Sequence, residues 1–480
     1  MLKTIVKKEV LETIFSYRFP LFAVICLLLI PLGMYVSEVN YSKRVRDYSE
    51  QVRLADEAAS KLKLQDVMAG TVTIRGFRHP APLSVFTQGF ESTLPRYYEL
   101  TQDGFKPGES ASGDESIVSV QGKVDFIFLV QMVISLIALL FASDMISGEK
   151  ESGTLRATLA NRLPRDTLLA GKIGGGYLAL WIPFLLSFLL GAVVLMLTQF
   201  PLFAGGAGTR VVIILLATSL FILTYYTIGM AVSTSSAKAR TALVAILIIW
   251  AAFQLVIPKL SDMIAGIVYP VRTDTAVSLE KSLLTRSIDT ETAKELGRQS
   301  DAIFAGVPPE VQDKPDSPER KKWDAVRGEI EQRAKDRKAA QLGAIDETYQ
   351  QQKRRQQNLA FNLSLISPSA AFARFITDVC GTGELERTKY VEAVRAHQKA
   401  LDNELFGKVK RTVMLKPDGQ TVLMFQATPI DPQKLPKFTI TPASVSEVFK
   451  GNWPSLLSLL FWLIAPFAFA YAKFIKYDVR

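Results

Sequence analysis

The chain has 480 residues, of which 49% are hydrophobic, and it carries a formal net charge of +10. The mean hydropathy of +0.19 is high for a soluble protein and low for a bare membrane bundle, so it indicates a membrane part joined to a large soluble part. The chain has two cysteines, and a disulfide between them is not expected because Cys26 lies in an apolar run and Cys380 in a soluble segment. It also has two histidines, and a histidine metal site is not expected because no carboxylates accompany them at ligand spacing.

The chain begins with an amphipathic segment, residues 1–18. Apolar Ile5 and Val6 alternate with charged Lys3, Lys7 and Glu12 at helical spacing. Such a composition is typical of a helix that lies in the membrane interface. We therefore expect a cytoplasmic interfacial helix here.

Six apolar stretches are long enough, at about 18 residues or more, to cross a hydrocarbon layer about 30 Å thick. They are residues 19–36, 126–143, 173–199, 211–232, 241–258 and 453–472. None contains Asp, Glu, Lys, Arg or His, so we expect an all-α membrane part with six transmembrane helices. Buried helices of a soluble protein explain one such run but not six. A cleaved signal peptide is the alternative for the first stretch, but its apolar core is too long and no small-residue cleavage site follows.

Basic residues mark one side of these stretches. The amino-terminal tail, the connections between stretches two and three and between four and five, and the 473–480 tail together hold fourteen Lys and Arg against seven Asp and Glu. The connection between stretches three and four has Arg210 alone. We therefore expect both termini in the cytoplasm of a bacterium and the chain in its inner membrane. This bias explains most of the net charge, so nucleic-acid binding is not needed to explain it.

Two long segments, 37–125 and 259–452, then fall outside the cytoplasm, and we call them the first and second outer segments. The pattern predicts a charged helix over 41–66, a short extended stretch over 71–74, and a β-hairpin over 411–426 around a Pro-Asp-Gly turn. It also predicts helices around 275–303 and about 319–362. We expect mixed α+β outer segments. The apolar stripe of the longest helix suits packing on the first outer segment, which we favour, or a coiled-coil partner.

The motifs of several enzyme classes are absent. Gly148 and Gly153 have the glycine spacing of a phosphate-binding loop, but Thr154 and Leu155 stand where Lys and Ser or Thr would be needed. The stretches also lack the charged residues that serve ion-coupled transporters. Any transport therefore needs an external energy source.

Hydroxyl groups are the main polar feature of the fourth stretch. The candidate path-lining residues are Thr218, Ser219, Thr224, Tyr225 and Thr227. The alternative is that they only bond to neighbouring helices, as polar groups in membrane helices commonly do.

The connection over residues 144–172, which we call the coupling loop, carries the most distinctive motif. It contains the run Gly148-Glu149-Lys150-Glu151-Ser152-Gly153-Thr154-Leu155. Thr154 is a good N-cap for a short helix that places Leu155 and Leu159 on one face and Arg156 elsewhere. The loop is either a turn lying on lipid headgroups or a rigid protrusion that fits a cytoplasmic partner.

This run, followed by Pro164-Arg165 and Gly171-Lys172, resembles the signature of ABC type-2 exporter permeases. In that family the segment is the coupling helix that docks on the nucleotide-binding subunit. The resemblance implies contacts to an ATPase by Gly148, Glu149, Lys150, Glu151, Gly153, Thr154, Leu155 and Leu159. It also implies that this chain is not an enzyme and holds no cofactor, since ATP and Mg bind the partner. Residues 1–18 are similar to the family's connecting helix, and a second identical or homologous permease copy is implied.

The six-stretch plan and the Ser367–Phe372 run resemble a narrower group, the permeases of nitrous-oxide-reductase maturation and of gliding motility. The two large outer segments depart from compact family members, so no substrate is implied. They allow an extracytoplasmic partner, and the longest helix favours a second hypothesis, a transmembrane force or signal transmitter that moves no substrate. A third, a membrane-anchored outer enzyme, has no catalytic constellation to support it.

Overall fold

A computed structural model describes residues 1–59, 74–92, 94–101, 104–108, 125–160, 164–308, 312, 317–401, 411–415, 421–425 and 436–477. The chain divides into two compact units. The first comprises Met1–Pro258, Ser364–Thr412 and Phe425–Arg480, and the second Lys259–Leu363 and Val413–Met424.

The described helices, in chain order, are α1 (Leu2–Ile14), α2 (Arg18–Ala59), α3 (Phe126–Phe128), α4 (Ser135–Ser143), α5 (Ser147–Glu151), α6 (Thr154–Ala160), α7 (Arg165–Leu197), α8 (Ala207–Ser235), α9 (Ala239–Ala251), α10 (Ile257–Val268), α11 (Asp274–Phe304), α12 (Pro318–Ser364), α13 (Pro368–Val379), α14 (Glu384–Leu401) and α15 (Val445–Ile475). Two π-helical segments, Leu129–Ile134 and Ala252–Val256, join α3 to α4 and α9 to α10.

The six predicted apolar stretches are all helical. Within the described residues, six helical segments are long and apolar enough to cross a membrane: Arg18–Ala58, Phe126–Glu151, Arg165–Leu197, Ala204–Ser235, Ala239–Val268 and Val445–Ile475. A helix satisfies its backbone hydrogen bonds internally, which a segment in lipid must do. The prediction of a membrane protein built mainly from helices is therefore confirmed.

Helix α8 lies at the centre of the first unit. It packs against α4, α13 and α15, and its Phe221 and Tyr225 are fully buried. The ring of Phe372 on α13 stacks on Phe221 with centroids 4.2 Å apart. The apolar core of this unit is therefore built around α8.

Helix α13 belongs to this core, although the sequence placed it in the second outer segment. Ser367 caps it by accepting a hydrogen bond from the backbone N–H of Ala370, and Pro368 occupies its first turn. The carbonyl of Ile366, just before it, accepts a hydrogen bond from Trp462 Nε1, halfway along α15. The apolar face of α13 is buried among the apolar helices because its Phe and Ile side chains match that environment.

The described strands are short. Strands β1 (Ile74–Phe77), β2 (Tyr97–Thr101) and β3 (Gly104–Pro107) form an antiparallel sheet in that order, with Gly76 opposite Tyr98. Strands β4 (Arg411–Leu415) and β5 (Thr421–Phe425) pair as the predicted hairpin, whose turn lies outside the described residues.

The expected mixed α+β character of the outer segments is not supported, because helices supply most of their regular structure. Their long runs of Glu, Lys, Arg, Gln and Ala are strong helix formers. Residues 60–66 of the predicted charged helix and most of the 71–74 stretch lie outside the described residues.

The second unit contains a long antiparallel helical hairpin. Ion pairs join α11 to α12 at Lys281–Asp346 and at Glu291–Arg337, and the ring of Phe304 meets Trp323 near the other end. The buried residues of α12 are Ile330 and Tyr349, both members of its predicted apolar stripe. At 47 residues this helix is about 70 Å long. The stripe meets α11 of the same unit at Tyr349, whose hydroxyl donates a hydrogen bond to Asp274, and packing of the stripe on the first outer segment stays a prediction.

Cys380 is free but only 2% exposed, so a thiol reagent cannot report the topology from it. Cysteines introduced at exposed serines can report the topology instead. A membrane-impermeant maleimide applied to intact spheroplasts should label Ser287→Cys on α11 and should label Ser152→Cys only after lysis. The reverse pattern would overturn the expected orientation. Wild type is the background control.

Candidate functional site

The coupling loop folds into two short helices, α5 and α6, that meet at Gly153. This glycine has φ +76°, in the left-handed region, and a Cβ placed on it would meet no atom within 4 Å. Glycine is therefore favoured there by backbone conformation rather than by space. The hydroxyls of Ser152 and Thr154 lie 2.9 Å apart across this turn.

Helix α6 is attached to the protein by its leucines. Leu155 is fully buried and Leu159 half-buried in a cluster with Leu168, Met230 and Phe474, among others. Arg156 is exposed. The predicted amphipathic arrangement of Leu155, Leu159 and Arg156 is thus present, and residues 161–163 lie outside the described residues.

Glu149, the first charged residue of the Gly148–Leu155 run, forms an internal ion pair. Its Oε1 lies 2.8 Å from Nζ of Lys172 on α7, and the same ammonium lies 2.8 Å from Oε1 of Glu9 on α1. The side chain of Lys172 is 2% exposed and that of Glu9 10%. A buried ammonium needs both charge partners and hydrogen bonds. Helices α1, α5 and α7 therefore meet at one buried charged centre.

The next residue, Lys150, contacts a different helix. Its ammonium donates hydrogen bonds to the carbonyls of Thr234 and Ser236 at the carboxyl end of α8. It also lies 5.3 Å from the ring centroid of Tyr477. A cation at this position satisfies carbonyls that have no partner within the helix and complements the helix dipole.

Glu151 contacts a third helix. Its Oε2 accepts a hydrogen bond of 3.0 Å from the backbone N–H of Ala239, where α9 begins. Nearby, the hydroxyl of Ser233 accepts hydrogen bonds of 3.0 Å from the backbone N–H groups of Ile146 and Ser147. Three consecutive charged residues thus bond to α7, α8 and α9 in turn.

Of the predicted coupling residues, Gly148, Glu149 and Lys150 are half-buried and Leu155 is fully buried. Glu151, Gly153 and Thr154 are exposed, together with Ser152 and Arg156, which we call the loop tip. The sequence singled out neither Glu9 nor the pairing of Lys172. Glu9 and Lys172 are 163 residues apart, and no pattern links them.

Helix α1 is docked closely on α7 through two glycines. A Cβ on Gly171 would lie 2.5 Å from Cγ2 of Ile5, and one on Gly175 would lie 2.5 Å from Cβ of Glu9. Both distances are too short for a side chain to fit. The amphipathic amino-terminal helix is therefore fixed beside the coupling loop by packing as well as by charge.

The candidate path-lining residues all lie on α8. Thr218, Thr224 and Thr227 donate hydrogen bonds to carbonyls of α8 itself. Ser219 accepts a hydrogen bond of 2.8 Å from Trp181 Nε1, and the hydroxyl of Tyr225 lies 2.7 Å from Ser369 Oγ. These contacts join helices of one chain, and a path along these residues stays a prediction.

Tyr225 belongs to a polar cluster where the two π-helical segments meet. Gln254 Nε2 donates to the carbonyl of Gln131 at 2.6 Å, and Gln131 Nε2 donates to the carbonyl of Ser369 at 2.8 Å. A π-helical turn displaces side chains from the regular helix ladder and is frequent at functional sites. This cluster connects the start of α13 to the membrane helices.

Comparison with known families identifies the chain. The family described as ABC-2 family transporter protein matches residues 3–479, almost the entire length. No curated protein matches the chain. The match agrees with the six apolar helical segments and with the loop motif. The chain therefore belongs to the ABC-2 transporter family, as a multi-pass membrane permease component.

Proposed function

We propose that this chain is the permease subunit of an ATP-driven exporter and couples to a separate ATPase through the tip of the coupling loop. ATP and Mg are bound by that partner, and the chain itself performs no chemistry. One observation carries the proposal: Glu149, Lys150 and Glu151 bond to α7, α8 and α9 respectively. Family membership supports the ATPase partner.

The contacts explain how a push on the tip would reach the membrane helices. Leu155 anchors α6 in an apolar cluster with residues of α7, α8 and α15. The three charged residues attach α5 to the expected cytoplasmic ends of α7, α8 and α9. A displacement of the tip therefore cannot be absorbed by the loop alone and must move these helix ends. Packed side chains and hydrogen-bond networks of this kind carry energetic coupling between distant sites.

The finer parts of the proposal rest on other observations. The basic clusters support a bacterial inner-membrane location with both termini in the cytoplasm. Exposed apolar side chains along α9 and α10, such as Ile248 and Ile267, suit lipid or a second identical or homologous permease copy. The Ser367–Phe372 run at the start of α13 supports the narrower likeness to the permeases of nitrous-oxide-reductase maturation and gliding motility.

The partner contact is tested at the tip, because Glu149 is occupied within the chain. Arg156→Glu should weaken co-purification of the ATPase at least tenfold, since losing one partner of a charge pair that docking buries typically costs about 2–5 kcal/mol. The exposed position of Arg156 leaves the internal contacts intact. Arg286→Glu, the same change on exposed α11, is the control. Equal binding in both variants would contradict docking at the tip.

The alternative function, a force or signal transmitter, is favoured by the α11–α12 hairpin, whose 47-residue α12 is far longer than a connection between spans requires. Reconstituted proteoliposomes with the ATPase distinguish the two functions. ATP-driven movement of a candidate substrate across the bilayer supports export. An ATP-dependent change in protease cleavage of α12 without any flux supports the transmitter, and the outer segments would then be expected to bind an extracytoplasmic partner.

A further inference from the structure

A recess in the first outer segment is lined by three arginines. It is formed by Arg44, Asp47, Tyr48 and Gln51 of α2 together with Arg78, Pro80, Glu91 and Arg96. Its enclosed volume is about 30 Å³, and its mouth is open to solvent. That volume holds one water molecule or the terminal oxygens of a small charged group. The recess lies far along the chain from the coupling loop and plays no part in the proposed ATPase contact.

One arginine of the recess is already neutralised. NH1 of Arg78 lies 2.6 Å from Oε2 of Glu91, and their side chains are 7% and 4% exposed. NH2 of Arg78 also donates to the carbonyl of Glu91. The second oxygen of Glu91 accepts a hydrogen bond from the backbone N–H of Ala81. Glu91 is therefore committed and has little capacity left for another cation.

Arg44 forms no ion pair with the residues that the structure describes. Among the described residues, its guanidinium makes one hydrogen bond, from NH2 to Ser84 Oγ at 2.8 Å, and its Nε is buried without any partner. A guanidinium presents five N–H donors, so most of its capacity is unused. Leaving a buried donor of a charged group unpaired is costly. The second unpaired cation, Arg96, is exposed at the rim and forms no ion pair with the part of the chain that the structure describes.

The charges that face the recess leave it positive. Three arginines stand against Asp47 and Glu91, so the formal balance is +1. Planar guanidinium groups match the oxygens of a carboxylate or a phosphate. We propose that this recess is a binding site for a carboxylate or phosphate group, held by Arg44 and Arg96 on the expected outer side of the membrane.

The position of Arg44 favours a soluble source for that group. Arg44 lies eight residues beyond the end of the first apolar stretch at Val36, which places it about 12 Å along the helix axis. The headgroup region on each side of a bilayer is about 5–8 Å thick. A lipid phosphate would have to leave the headgroup region to enter the recess, whereas a dissolved anion can enter it from the solvent.

Binding of inorganic phosphate to the purified full-length chain tests the site. Calorimetry and thermal melting would be run in potassium phosphate and in potassium chloride of equal ionic strength. Wild type should bind phosphate saturably, and Arg44→Gln should weaken binding about tenfold or more, because it removes a charge-assisted contact. Arg53→Gln is the matched control: Arg53 lies on the same helix, is exposed, and pairs with Glu57. It should bind as wild type does.

A second variant, Arg96→Gln, tests the same site in case Arg44→Gln folds poorly. Arg96→Gln, at the exposed rim, should also weaken phosphate binding several-fold while the melting temperature in chloride stays unchanged. Absence of saturable binding, or equal affinity in wild type and in both variants, overturns the proposal. Vesicles of phosphatidylcholine with and without phosphatidylglycerol identify the source. Competition by phosphatidylglycerol assigns the site to a lipid phosphate, and unchanged affinity assigns it to a dissolved anion.

Discussion

Lys172→Met is expected to destabilise the junction of α1, α5 and α7 by about 3–5 kcal/mol, the usual cost of breaking a buried ion pair from one side. Methionine keeps the length and apolar body of the side chain, so packing changes little. Glu9 and Glu149 would remain, their side chains 10% and 19% exposed, without the charge of Lys172, their ion partner among the described residues. The melting temperature of the purified chain and its retention of the ATPase should both fall.

Two further variants distinguish the effect of the lost buried charge from a general loss of stability. Lys8→Met removes an equivalent charge from α1, but Lys8 is 55% exposed and pairs with Glu12 in solvent, so the expected change is under about 1 kcal/mol. Neutralising all three partners, with Glu9→Gln and Glu149→Gln added to Lys172→Met, should recover part of the lost stability because no unpaired charge remains. A Lys172→Met chain as stable as Lys8→Met would contradict the buried charged centre.

The second large effect is expected at Gly175, one of the two glycines of α7 that lie close against α1. A Cβ on Gly175 would lie 2.5 Å from Cβ of Glu9 and 2.9 Å from the carbonyl oxygen of Val6. The carbonyl belongs to the backbone and cannot rotate away. Gly175→Ala should therefore displace α1 at a cost of about 1–3 kcal/mol, as overpacking does. Faster proteolysis of α1 and weaker ATPase stimulation would report the displacement.

Gly174→Ala is the control for Gly175→Ala. Its Cβ would meet nothing closer than Cγ2 of Val6 at 3.7 Å, an ordinary contact. Alanine is the better helix former, so this variant should be unchanged or stabilised by up to about 1 kcal/mol. If both alanine variants behave alike, α1 is not held against α7 as the structure describes. If only Gly175→Ala loses ATPase stimulation while the chain stays folded, α1 supports the coupling loop.

The properties that depend on local composition were predictable. An apolar stretch of sufficient length without charge forms a helix wherever lipid surrounds it, because each backbone group must find its partner within the segment. The six apolar segments follow from that rule. The leucine face of α6 was equally predictable, since the spacing of Leu155 and Leu159 places both on one side of any helix. The turn at Gly153 follows from the freedom of glycine at positive φ.

Partner choice among polar residues was not predictable. The sequence shows that Glu149 and Glu151 are acidic, and resemblance suggests that they contact an ATPase. The structure brings Glu149 to Lys172 and Glu151 to the first turn of α9, which leaves the loop tip to meet a partner. Electrostatic attraction acts through space, so residue types alone do not determine which charges meet.

The position of α13 in the core and the recess at Arg44 likewise could not be predicted from composition. Composition predicted neither that the Ser367–Val379 region packs beside α8 nor that Arg44 would form no ion pair with the described part of the chain. Both depend on which surfaces remain free after the helices have packed. The sequence by itself determined which segments enter the membrane, because transfer of apolar side chains into lipid is a sum over neighbouring residues. Only the tertiary structure decided which polar groups meet, because that depends on positions fixed by packing between distant parts of the chain.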